Sequence, residues 1–67
     1  MWREVVVQIL QRHQGEMLSP TEIGVEAGLH PLDASGRMAP VLKKLVAEGL
    51  VKREAHGPRM VRYGWKA

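Results

Sequence analysis

The side chains of this chain that could do chemistry are cations, and they crowd into its second half. Residues 37–67 carry eight of the ten Lys/Arg against only Glu48 and Glu54, whereas residues 1–36 carry Arg3 and Arg12 against five acids. The net charge of +3 is modest, but its distribution is polarised. Charge asymmetry between halves points to contact with nucleic acid or a membrane surface, and its plain alternative is a solvated basic face. Arg37, Lys43 and Lys44 fall together in one stretch, and Lys52, Arg53, Arg59 and Arg62 in the next. Clustered cations neutralise a polyanion and release its counterions.

Other chemistries find little support. His13, His30 and His56 are the only histidines, and none pairs with another ligand at metal-site spacing. His13 reads as a partly buried helix-end residue and His56 as a loop residue. No serine lies in a nucleophile motif, and no glycine-rich loop opens a helix after a strand. The acids are scattered, so paired-carboxylate catalysis has no basis. We therefore expect no enzyme, no metal and no cofactor. The chain has no cysteine, which removes disulfides and fits a reducing compartment. No apolar run approaches the ~20 residues of a membrane span, and the first residues lack a basic-then-apolar leader. A single cytoplasmic domain over residues 1–67, without membrane contact, is the expectation.

The elements that must position these cations can be read in order. Trp2, Val5, Val6, Ile9, Leu10 and His13 recur at helical spacing and predict a first helix over residues 2–13, stopped by Gly15. Val7 falls off the stripe and is expected to face outward. Glu16-Met17-Leu18 is a connector or a minimal strand. Ser19-Pro20-Thr21-Glu22 combines a cap, a first-position proline and a capping box, and so starts a second helix. Ile23 and Ala27 supply its buried side, with Val25 a weaker candidate. Gly28 ends it, and Pro31 prevents its continuation. Residues 30–36 read as a connection, with Asp33 and Ser35 both available as caps. Because an interior proline breaks a helix, Pro40 argues for a regular third helix over residues 38–48 only, led in by a looser turn. Met38, Val41, Leu42 and Leu45 share its apolar face, and Gly49 caps its end in the left-handed conformation. Residues 50–54 and 59–63 then read as two strands around Ala55-His56-Gly57-Pro58. Along the last strand Val61, Tyr63 and Trp65 alternate onto one face, for core packing or, less simply, for stacking on bases. The expected core is Ile9, Ile23, Leu42, Leu45, Leu50 and Val61, under a two- or three-stranded antiparallel sheet.

Helix, connector, helix, turn, helix, hairpin resembles the winged helix-turn-helix family, an α+β fold of three helices with a C-terminal β-hairpin wing. Val41-Leu42-Lys43-Lys44-Leu45-Val46-Ala47-Glu48-Gly49-Leu50-Val51-Lys52-Arg53 looks like that family's third helix running into its wing. Ser19-Pro20-Thr21-Glu22-Ile23 with Ala27-Gly28-Leu29 is similar to its second helix. The resemblance implies a transcriptional regulator that binds double-stranded DNA, with the third helix in the major groove and the wing on the backbone or minor groove. By position it nominates Arg37, Lys43 and Lys44 on the helix, and Arg59 with Arg53 or Arg62 on the wing. The rival reading is a winged-helix module that binds another protein. Trp2 and Val7 further suggest a homodimer formed through the first helix.

Overall fold

The computed structural model describes residues 1–66. It contains α1 (Trp2–Arg12), α2 (Pro20–Glu26), α3 (Pro31–Ala47), β1 (Val51–Ala55) and β2 (Val61–Trp65). Three helices followed by an antiparallel hairpin make the α+β layout of a winged helix.

α1 buries Val6, Ile9 and Leu10, with Trp2, Val5 and Val7 packed at the core's margin. Val7 therefore does not simply face outward; its helical position lies beside the stripe rather than opposite it. α2 starts as its capping box requires. The Ser19 hydroxyl accepts the Glu22 N–H at 3.1 Å, and the Glu22 carboxylate accepts the Ser19 N–H at 2.8 Å. Ile23 and Gly24 are its buried residues. Val25 is 46% exposed, because two helical steps carry it about 200° round from Ile23.

The third helix departs most from the sequence reading. Residues 30–36 are not a connection: α3 begins at Pro31 and runs for 17 residues. Its cap is neither Asp33 nor Ser35 but His30, whose Nδ1 accepts the Leu32 N–H at 3.1 Å. Pro31 opens the new helix, where its missing N–H costs nothing. Pro40 lies inside this helix and leaves the Gly36 carbonyl without its usual amide partner. Both residues are exposed, so water can solvate that carbonyl, and Gly36 adds no side chain to the crowding. The buried stripe Ala34, Met38, Leu42 and Leu45 continues across the proline and anchors both halves of the helix.

The first half of α3 packs on α2 at one very close point. A Cβ added to Gly24 would stand 2.4 Å from the Ala34 Cβ and 2.8 Å from its Cα. Both helices then end in the same way. The Leu29 N–H bonds the Gly24 carbonyl at 2.9 Å past Gly28 (φ +96°), and the Leu50 N–H bonds the Leu45 carbonyl at 3.1 Å past Gly49 (φ +81°).

That last bond moves the hairpin. Leu50 belongs to the helix end, so the strands begin at Val51 and Val61 rather than at residues 50 and 59. The register pairs Val51 with Trp65, Arg53 with Tyr63 and Ala55 with Val61. Residues 56–60 form the turn, closed by the His56 N–H on the Met60 carbonyl at 2.9 Å. Arg59 is thus a turn residue. On the far edge of β2, Leu18 exchanges both backbone bonds with Tyr63, at 2.8 and 2.7 Å, as a single bridge beside the two-stranded sheet. Gly64 makes room for this crossing, since a Cβ there would meet the Met17 sulfur at 2.6 Å.

The core consists of Val6, Ile9, Leu10, Ile23, Met38, Leu42, Leu45, Val51 and Tyr63, while Leu50 and Val61 pack at its margin. Replacing Gly24 tests the helix crossing. Gly24→Ala should cost about 1–3 kcal/mol through overpacking, although alanine normally favours a helix over glycine. Urea denaturation should show a lowered midpoint; an unchanged or raised midpoint would mean that α2 and α3 do not meet as described.

Candidate nucleic-acid interface

α3 and the hairpin hold the nominated cations, and the geometry divides them into groups. Arg37 and Lys44 are seven residues apart, so two helical turns bring them to one side of α3. Lys43 lies about 100° away from Lys44, toward the hairpin. There Ala39, Lys43 and Val46 of α3 face Arg53 and Tyr63 of the hairpin across a groove of about 360 Å³. Arg53 reaches this groove because it stands opposite Tyr63 in the register and so shares its face of the sheet. Val51, on the same face, is buried, whereas Arg53 and Ala55 are exposed. The hairpin therefore leaves the core as it extends, and Arg53 stands where it lifts away.

Arg62 is placed elsewhere. It lies on the opposite face of the hairpin, paired across the strands with Glu54. Its guanidinium donates to the Glu22 carboxylate at 3.1 Å and to the Met17 carbonyl at 3.4 Å. Arg62 thus ties the wing to the start of α2. Arg59 sits in the turn between the strands.

Several acids are engaged in such ties. Glu48 pairs with Arg3, and Glu26 with Arg12 at 3.4 Å. When charged, His13 donates from Nε2 to Glu26 at 2.8 Å and from Nδ1 to Glu16 at 3.3 Å. Among the described residues, Arg37, Lys43, Lys44, Arg53 and Arg59 have no ion-pair partner. In particular, Arg37 makes no bridge to Asp33 one turn away. No cluster of potential metal ligands occurs among the described residues, and no helix there is long and apolar enough to cross a membrane.

The sequence did not single out Ala39, Val46 or Tyr63 as groove residues. The signal was present in the spacing of residues 39, 43 and 46, but the opposing wall depends on a hairpin register that the chain alone did not reveal. Trp65 packs partly against the core. Comparisons with protein families, with curated proteins and with solved structures find no match.

Two pairs shift their protons. Glu22 is held below the usual carboxylate range, first by the Ser19 N–H and then by the Ser19 hydroxyl and Arg62. His13 is raised above its usual value, chiefly by its bond to Glu26 and further by Glu16, against partial desolvation. A raised native value favours folding while the imidazole is charged. That stabilisation is complete below about pH 6.5, the unfolded value, and is lost as pH rises through the native one. Thermal melts should therefore show wild type losing stability from pH 6 to 8.5 relative to His13→Gln. A constant difference between the two across that range would show that the imidazolium does not staple α1 to α2.

Proposed function

We propose that this protein is a winged helix-turn-helix DNA-binding protein of the cytoplasm, acting as a small transcriptional regulator without catalysis. The observation that carries the reading is the convergence of unpaired cations from two elements. Lys43 from α3 and Arg53 from the wing line one groove. Arg37 and Lys44 extend the charge along the helix, and Arg59 extends it to the wing's turn. A duplex engaged by helix and wing together would meet phosphates at each of these points. Arg62 contributes to holding the wing rather than to the contact. Only Arg37 on the helix has the planar fork that reads guanine well, so affinity comes mainly from phosphate contact and sequence preference is limited.

A homodimer through α1 fits this reading, since Trp2, Val5 and Val7 remain partly exposed beside the core. Symmetric half-sites about one helical turn apart would follow. Sedimentation showing only monomer at high micromolar concentration would remove the dimer but not the DNA contact.

With roughly four phosphates neutralised per subunit, log K should fall against log salt with a slope near −4. Lys43→Ala and Lys44→Ala should each flatten it by about one unit, while Arg37→Ala should relax sequence preference. The double reversal Lys43→Glu/Lys44→Glu should abolish binding with the fold intact, because both side chains are exposed. Retention of the wild-type slope by the double variant would place the DNA contact elsewhere. If the wild-type protein binds no duplex even at low salt, the protein-interaction reading takes its place.

A further inference from the structure

The groove between α3 and the wing has a lining that a phosphate backbone does not need. Ala39, Val46 and the Tyr63 ring give it apolar walls, and Lys43 and Arg53 give it two cations. Tyr63 is 8% exposed, yet its hydroxyl makes no hydrogen bond and is not sealed from solvent. Small-ligand sites have this character: a concave, mainly apolar lining with a few polar groups that fix orientation, in volumes from about 300 Å³ upward.

We infer that the groove binds a small amphipathic anion, an aromatic carboxylate in class. The carboxylate sits between Lys43 and Arg53, where Arg53 can grip both oxygens with its planar fork. The flat ring lies against Ala39 and Val46 of α3, with the edge of Tyr63 on its other side. A compact inorganic anion would satisfy the cations and leave these walls wet; a neutral aromatic would cover the walls and leave the cations without a partner. The site does not depend on DNA binding. If duplex DNA also uses Lys43 and Arg53, a step that rests on the reading above, the two occupants exclude each other and the anion acts as an effector.

The test uses the full chain without DNA, so its outcome is separate from that of the duplex titrations. Amide chemical shifts are followed during titration with 2-naphthoate, with neutral 2-naphthamide and with inorganic phosphate. Naphthoate should perturb the amides around residues 39–46, 53 and 63 and bind about tenfold more tightly than either control. Lys43→Gln and Arg53→Gln should each erase most of that preference over the amide. Ala39→Leu, an exposed helix position that tolerates a larger side chain, should block the groove and abolish binding with unchanged circular dichroism. Equal affinity for naphthoate and naphthamide, shifts centred elsewhere, full affinity in either cation variant, or no naphthoate shifts at millimolar concentration would overturn the inference.

Discussion

At one point α2 and α3 come too close for any side chain to stand between them. Gly24 has no Cβ, Ala34 has only one, and the Ala34 methyl occupies the space that any side chain at position 24 would claim. The contact fixes where the first turns of α3 lie, and the rest of the helix inherits that placement. Met38, Leu42 and Leu45 can then reach Ile9, Leu10 and Ile23 in a single core. In a domain of 67 residues such a constraint weighs heavily. Small domains bury a smaller fraction of their surface, and their stability is only of order 0.05–0.15 kcal/mol per residue. A close helix crossing increases the packing that so few residues can achieve.

Charge is divided with the same economy. Glu22, Glu26 and Glu48 each hold a cation or a histidine from another part of the chain, and Glu16 holds the nearby His13. These exposed pairs contribute little individually. Their larger effect is on the remaining field, because they engage acids that would otherwise offset the cations of α3 and the groove, leaving Asp33 as the exposed acid beside Arg37. Among the described residues, the cations of the exposed helix and of the groove side of the wing are left without ion-pair partners. Net charge alone, at +3, conceals this separation.

Much of the fold was legible because the chain announces it locally. Ser19 and Glu22 form the capping box that their spacing foretold, and Gly28 and Gly49 end their helices at positive φ. Leu42 and Leu45 lie in the core, and Tyr63 faces it as alternation along the strand requires. The beginning of α3 was misread for a physical reason. Proline at position 40 signals a local cost of about 3 kcal/mol or more, whereas the burial of Ala34 and Met38 on either side of Gly36 is a tertiary gain that local rules do not count. His30 was passed over because histidine is not among the favoured cap residues, although its Nδ1 can accept the bond. Arg62 could not be separated from the other wing cations either. Its partner Glu22 lies 40 residues away and is brought within reach by the crossing of residues 16–18 over β2.

The two-residue period of the hairpin turns that last distinction into a functional one. Residues 53 and 62 are both arginine and both exposed, and composition treats them alike. Yet Arg53 pairs with Tyr63 and Arg62 with Glu54, so they stand on opposite faces. A shift of β1 by one residue against β2 would turn Arg53 onto the face of Arg62 and take it out of the groove. The five-residue turn opposes such a shift, and the two Leu18–Tyr63 bonds hold the middle of β2 from its other edge. Leu18 thus bears on the groove without lining it: by pairing with Tyr63 it holds the strand that Arg53 faces across the sheet.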